Sequence, residues 1–295
     1  MNCYCTLAEV KELVNLTDSS RDWDLLRVIE AVSREIEGPA GARRRFWLII
    51  EDRYFEWTPR QENELLIDDL VELGRAKIGD VEGVDESEAV LADTKRDGLY
   101  TGQAWEIGRD FVLEPAGGWP KTALLRLDWG RYPLQEGRRM YRITGTWGYG
   151  DGLKASPWKA TGVTGTVETA DGLELELSAD GAVKVGHTIK LGNEQMFVEG
   201  VTVVEGEGEE PDTATATVRR GVNGTIGEVQ AAAAVRIAEY PMEVVRACLY
   251  FAAEAWNLNA YAGVDRETVG EHSVVMAEIK PEVRRRILAS VSKGW

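Results

Sequence analysis

Tyr4-Cys5-Thr6-Leu7-Ala8-Glu9-Val10-Lys11 opens the chain as the start of a helix, and Pro241-Met242-Glu243-Val244-Val245-Arg246-Ala247-Cys248 reopens helix near its close. The sequence between them is mostly of β type, so the reading of these two stretches decides the expected fold. Thr6 and Glu9 have the spacing of a capping box, in which the hydroxyl takes the amide three residues on and the carboxylate reaches back to the cap amide. A short helix from Leu7 to about Val14 follows. Beyond a turn from Asn15 to Ser20, which supplies a second cap, Trp23, Leu26, Ile29, Val32, Ser33 and Ile36 recur at three-and-four spacing. Arg27, Glu30, Arg34 and Glu37 face the other way, which predicts an amphipathic helix ended by Gly38-Pro39. At the far end Pro241 suits the first helical position, where its missing amide costs nothing. Val244, Val245, Cys248, Leu249, Ala252, Ala255 and Trp256 then form one broad apolar face, expected to pack on the N-terminal pair. Pro281 starts a final helix with Val283, Ile287, Leu288 and Val291 on one stripe and Arg284, Arg285 and Arg286 around it.

From Phe46 to about Gly150 the period changes to two. Phe46 to Ile50, Arg53 to Trp57, Glu64 to Ile67, Asp110 to Leu113, Ala123 to Leu127 and Met140 to Trp147 read as strands rich in β-branched and aromatic residues. Gly117-Gly118, Pro120, Gly130 and Pro133 punctuate them. Short strands at this spacing predict an antiparallel sandwich or barrel rather than a βαβ sheet. The glycines of Gly145-Thr146-Trp147-Gly148-Tyr149-Gly150 do not open a helix and lack a following Lys-Ser or Lys-Thr pair, so they read as tight turns and close packing rather than a phosphate loop.

A second β-rich stretch precedes the return to helix. Leu173-Glu174-Leu175-Glu176-Leu177 alternates strictly, as a strand with one buried and one acidic face does. Asp171-Gly172, Asp180-Gly181, Gly192-Asn193 and Asn223-Gly224 are turn dipeptides suited to positive φ. Further strands are expected at Thr188 to Leu191, Gln195 to Val204 and Thr213 to Arg219, with an exposed hairpin tip at Gly206 to Asp212. A small barrel, which leaves no free sheet edge, is the expected form. The whole chain is therefore expected to be α+β: a helical bundle from both termini (1–45 with 241–295), a central antiparallel β region (46–157) and an inserted small β-barrel (158–240). Ala262 to Met276 reads as a loop.

Composition narrows the function. The chain has 295 residues, 50 acidic against 34 basic, and a net charge of -16, which opposes a nucleic-acid-binding surface because phosphate binding needs clustered Lys and Arg. No apolar run approaches the ~20 residues of a membrane span, and Met1 to Cys5 has no basic and apolar leader pattern, so a soluble protein made in the cytosol, with no membrane partner, is expected. Cys3, Cys5 and Cys248 lack zinc-ligand spacing and read as reduced, incidental thiols. His187 and His272 have no nucleophile in a recognisable elbow, and adjacent carboxylates such as Asp68-Asp69 and Glu209-Glu210 do not by themselves make an acid-base pair. No catalytic, cofactor or metal residue is assigned, and no enzyme is expected.

Tyr4 with Thr6 to Lys11, then Asp22, then Ile29-Glu30-Ala31-Val32-Ser33-Arg34-Glu35-Ile36-Glu37, resembles the opening of the tailed-bacteriophage head-tail connector family, also called adaptor or head-completion proteins. Arg43-Arg44-Arg45-Phe46-Trp47, the strand Tyr141 to Gly150 and the segment Gly263 to Val274 are similar to later elements of that family, although Gly38-Pro39-Ala40-Gly41 departs from it. Val185 to Ile189, Glu194 to Val198 and Arg219 to Thr225 are similar to a β module that recurs in phage structural proteins, with Gln230 near the place of its usual histidine. The resemblance implies a structural virion protein of the neck, synthesised in the host cytoplasm and assembled as a homo-oligomeric ring, twelvefold (a dodecamer) in that family. Its implied partners are other copies of itself, the portal protein and a neck or tail completion protein, with DNA passing through the channel without specific binding. Connector proteins engage the portal through their C-terminal segment, so Val283, Arg284, Arg285, Arg286, Ile287, Leu288, Val291 and Trp295 are the implied partner interface.

A different class also fits part of the sequence. Trp105, Trp119, Trp129 and Trp147 could offer flat stacking faces in a tail or receptor- or carbohydrate-binding module. Two or more of these rings exposed in one groove would favour that reading; rings in the core would oppose it.

Overall fold

The computed structural model describes residues 2–73, 92–94, 104–105, 107–130, 133–206, 212–260, 266–269, 272–275 and 281–293. The chain divides into two compact units, one made of residues 1–44 and 158–295 and the other of residues 45–157.

In the first unit the N-terminal helices form where the sequence placed them. Helix α1 (Leu7–Leu13) carries the complete Thr6/Glu9 capping box. Helix α2 (Asp22–Glu37) buries Leu25, Leu26, Ile29, Val32, Ser33 and Ile36. Trp23, expected on that stripe, is 51 % exposed. The cap before α2 also differs. Arg21 holds the position with no side-chain bond, while Asp18 turns its carboxylate onto the Ser20 amide at 2.9 Å.

Six strands then close a barrel: β8 (Trp158–Val167), β9 (Glu174–Leu177), β10 (Thr188–Leu191), β11 (Glu194–Val204), β12 (Thr213–Arg219) and β13 (Gln230–Ala238). Their order is β10-β11-β12-β9-β8-β13, and β13 pairs back on β10. Every pairing is antiparallel. Alternation fills the interior as predicted: Leu175 and Leu177 point in while Glu174 and Glu176 face out, and Ala214, Ala216 and Val218 do the same on β12. Residues 207–211, most of the expected hairpin tip, lie outside the described residues.

Helix α3 (Met242–Ala260) follows and packs on α2 and α1. Beyond it, β14 (Arg266–Val269) and β15 (His272–Val275) pair as a hairpin where a loop was expected. Helix α4 (Pro281–Leu288) comes last.

The expected helical bundle from both termini is not what the structure shows. The chain is mainly β, and its terminal helices belong to the same unit as the barrel. The physical reason lies in their length and attachments. Helix α1 has 7 residues and α4 has 8, too short to hold each other without further packing. The N-terminal segment is tied to the barrel as well: the Leu7 amide donates to Val185 O at 3.0 Å. Asn2, 1 % exposed, accepts from the Thr188 hydroxyl at 2.8 Å and from the Asn223 amide at 3.0 Å. Gly186 sits at φ +98 at this junction, where an added Cβ would come 3.2 Å from Cys5 O.

The second unit holds one open antiparallel sheet, not the sandwich or barrel expected for this region. Its strands are β1 (Ile49–Phe55), β2 (Glu64–Leu73), β3 (Ala92–Thr94), β4 (Ala104–Trp105), β5 (Phe111–Glu114), β6 (Lys121–Arg126) and β7 (Tyr141–Trp147). They run β4-β3-β7-β2-β6-β5, and β1 also pairs with β7, from Ile49 opposite Trp147 to Phe55 opposite Tyr141. Tyr141, Ile143 and Trp147 share one buried face with Leu65, Ile67, Leu70, Phe111 and Leu124. The indole N–H of Trp147 donates to Glu51 O at 2.9 Å, which satisfies the polar end of a fully buried ring. The glycines around it serve packing. At Gly148, φ +140, a Cβ would lie 2.3 Å from Trp47 O, and its amide donates to Asp69 O at 2.8 Å.

Candidate functional site

The implied partner interface, α4, is fastened to its own unit. Arg284 donates to Glu35 of α2 and to Glu254 of α3, each at 2.5 Å, and its guanidinium lies 4.7 Å from the centre of the Phe251 ring. Leu288 and Val291 are buried. The Lys293 amide donates to Ala42 O at 2.9 Å, which ties the segment after α4 to the end of the N-terminal helical region. Arg286 is exposed. The side chains of Val283, Arg285 and Ile287, and all of Trp295, lie outside the described residues. Of the eight positions, then, Arg284, Leu288 and Val291 work inside the fold, and Arg286 faces outward.

The binding-module reading asked for grouped, exposed indoles. Trp147 is at the centre of the sheet core, Trp129 is 73 % exposed, and Trp119 is half-buried with the Lys121 ammonium 4.5 Å from its ring centre. The Trp105 side chain lies outside the described residues. Of these four positions, then, the three with described side chains are one exposed ring, one beside a cation and one in the core.

The most constructed polar centre joins two of the segments quoted for the β module, through a pairing the sequence did not show. Glu194, fully buried, receives Arg220 Nε on Oε1 and Nη2 on Oε2, both at 2.6 Å. The same carboxylate takes the amides of Gly221 at 2.9 Å and Glu228 at 3.0 Å. Arg220 spends its other N–H groups on the carbonyls of Thr169, Gly172 and Glu228 at 2.8–3.0 Å. One ion pair therefore gathers the turn after β8 and the segment between β12 and β13 at one end of the barrel. With every donor directed at protein, it is a structural clamp rather than an anion receptor. Arg219 and Arg220 were visible as a pair, but nothing local marked Glu194, 26 residues away, as the partner.

Beside this clamp an open groove of about 390 Å³ is lined by the hydroxyl-bearing Thr166, Thr169 and Thr215, the carboxylate-bearing Glu168, Glu174 and Glu176, and Leu173. Its sign excludes phosphate-rich ligands. Among the described residues no group of three or more His, Cys, Asp or Glu side chains could hold a metal.

His187, read as a surface residue, is half-buried in the turn before β10. Its Nδ1 accepts the Lys184 amide at 3.1 Å, which requires the neutral ring, and burial pulls its pKa down to about 4 against the opposing pull of Glu9. The His272 side chain lies outside the described residues. The three cysteines, expected to be incidental, are all buried. Two of them meet: the Cys5 thiol points at Cys248 Sγ at 3.2 Å.

No family model, curated protein or solved structure matches the chain.

Proposed function

We propose that this protein is a structural component of a tailed-phage virion, a head-tail connector subunit that assembles into a ring between the portal and the neck or tail. The observation that supports this reading is the contact between two of the segments that bear the resemblance, the opening residues and Ile29 to Glu37. Tyr4, from the opening motif, stacks edge-on against Tyr240 at 4.8 Å between ring centres, and its amide donates to Ser33 Oγ of the second motif at 3.2 Å. Tyr4 is 2 % exposed, so these are core contacts that join the opening segment to the second one and to the residue ahead of Pro241. The net charge of -16 also suits a channel through which DNA slides, since an acidic wall repels the phosphate backbone.

In this reading Arg284, Leu288 and Val291 hold α4 in place, and the face that carries Arg286 meets the portal. The barrel, with its outward Glu174 and Glu176, decorates the ring. The neighbours are further copies of the chain, the portal protein and a neck or tail completion protein.

Electron microscopy of the purified chain across a range of concentrations, alone and mixed with portal rings, tests the proposal. Rings with a central channel and a fixed rotational symmetry are expected. Monomers in every sample, with no density added to the portal, would overturn it.

A further inference from the structure

All three cysteines of the chain are buried, and they lie where the N-terminal segment, α2 and α3 converge. Cys5 Sγ is 3.2 Å from Cys248 Sγ, and Ser33 Oγ is 3.4 Å from the same Cys248 sulfur on its other side. Ser33 in turn bonds Ile29 O at 2.8 Å and accepts the Tyr4 amide, so the sulfurs sit in a fixed hydrogen-bonded chain. A disulfide has its sulfurs about 2.05 Å apart. The two sulfurs therefore need to close by roughly 1 Å to join. The two thiols are also chemically unequal. Burial pushes Cys248 up, but its hydrogen bonds with Cys5, Ser33 and the amides of Tyr4 and Cys5 more than offset it and hold its thiol below the usual value. Cys5, whose proton is held in the bond to Cys248 and which is also buried, is raised. Thiol-disulfide exchange uses such an asymmetry, because in the closed site the sulfur that completes the bond attacks as its thiolate.

We propose that Cys5 and Cys248 form a redox latch: two thiols in a reducing compartment, one disulfide in an oxidising medium, joining the N-terminal segment to α3. The proposal rests on the sulfur geometry and is independent of the connector reading. The oxidant is a small disulfide such as oxidised glutathione, which reaches the site when residues 2–6 open locally. With the segment open, Cys5 as its thiolate attacks one of the oxidant's sulfurs, forms a mixed disulfide and releases one glutathione thiolate. When the segment recloses, Cys248 gives up its proton and attacks the Cys5 sulfur, forming the internal S–S bond and expelling the second glutathione thiolate. The two thiol protons end on the two glutathiones, so two protein thiols are oxidised and one disulfide is reduced.

The latch closes a long loop, since the two cysteines are 243 positions apart. Cross-links of long loops act most on the unfolded chain. A rise in melting temperature of roughly 5–10 °C is therefore expected on oxidation. The test equilibrates the full chain, purified with a reductant, in glutathione buffers from fully reduced to fully oxidised. Free thiols, intact mass, the cross-linked peptide and melting temperature are then read. Titratable thiols should fall from three to one, the mass should drop by two hydrogens, peptides containing Cys5 and Cys248 should be linked, and excess dithiothreitol should reverse all of it. Cys3→Ser should keep the whole response. Cys248→Ser should lose it, and if that variant does not fold, the peptide map of the wild-type chain decides alone. Three thiols persisting at the most oxidising ratio, a glutathione adduct as the end product, or pairing through Cys3 would each overturn the proposal.

Discussion

The barrel and the open sheet are both antiparallel, and they dispose of their strand edges in opposite ways. In the barrel β13 returns to β10, so every strand has two neighbours and the remaining liability is at the ends of the cylinder, where turns must be held down. The Glu194–Arg220 pair does this with seven hydrogen bonds in which both charges are consumed. In the open sheet β7 sits in the middle and carries β1 on one side and β2 and β3 on the other, and its stability rests on the packed face of Tyr141, Ile143 and Trp147. Both units have an apolar core, and the barrel adds to it a buried polar clamp at its turns.

Removing the clamp should have the largest effect on the barrel. Arg220→Ala leaves a fully buried carboxylate without its cation, a change that typically costs about 3–5 kcal/mol. Denaturant unfolding should show a loss of that size, with the barrel unit melting first. If Arg220→Ala costs no more than an exposed substitution, the clamp does not hold the barrel.

Two strand glycines sharpen the contrast. Gly145 of the sheet faces Leu70 Cδ1 at 2.6 Å and Glu72 O at 2.8 Å from an added Cβ, and the second of these is backbone that cannot step aside. Gly165 of the barrel would meet only side-chain ends within that range, Leu175 Cδ1 at 2.8 Å and Val235 Cγ2 at 3.0 Å. Gly145→Ala should therefore cost about 2–3 kcal/mol, while Gly165→Ala, which also gains from reduced freedom of the unfolded chain, should cost less than about 1 kcal/mol. Equal costs in urea titrations would mean that the closed interior is no more adaptable than the open one.

A smaller and pH-dependent effect belongs to the barrel alone. His187 titrates near 6.5 when unfolded but at about 4 in the fold, chiefly through burial. Between those values the unfolded chain binds a proton that the folded chain refuses, so the stability from this group is present above about pH 6.5 and is lost as pH falls toward 4. His187→Gln should flatten that part of the stability–pH curve. An unchanged slope between pH 6.5 and 4 would assign the acid limb to other groups.

Much of this architecture was legible in local sequence, and the failures share a cause. The capping box at Thr6, the inward and outward alternation of Leu175, Glu176 and Leu177, and the turn at Gly192-Asn193 are properties of neighbours in the chain, and they were readable. Trp23 was assigned to the core because its spacing fits, yet spacing fixes a helix face and not how far the covering elements extend over it. Two helical ends imply a bundle, and the helices do meet, but that they share one unit with the barrel depends on contacts such as Asn2 with Thr188 that no periodicity encodes. The Glu194–Arg220 pair and the Cys5–Cys248 pair were invisible for the same reason. Each joins ordinary residues whose partnership exists only after the fold has formed.

The smallest expected effect bears on the helix that both the resemblance and the fold use. Arg284 bridges Glu35, which is 51 % exposed, and Glu254, which is 7 % exposed, so one arm of the bridge is screened by water and the other is not. Replacing Arg284 with Ala should lower global stability by about 1 kcal/mol or less, because Leu288 and Val291 still anchor the segment. Local opening is more sensitive than the global transition, since α4 has 8 residues and little stability of its own. Amide exchange across residues 281–291 should therefore speed up while exchange in the barrel strands stays unchanged. Glu254→Gln should reproduce most of that local effect and Glu35→Gln little of it, which would place the working half of the bridge on α3. A uniform increase across the whole unit would instead mean that α4 and the barrel unfold together, and that the polar clamp and the terminal helix are parts of one cooperative structure.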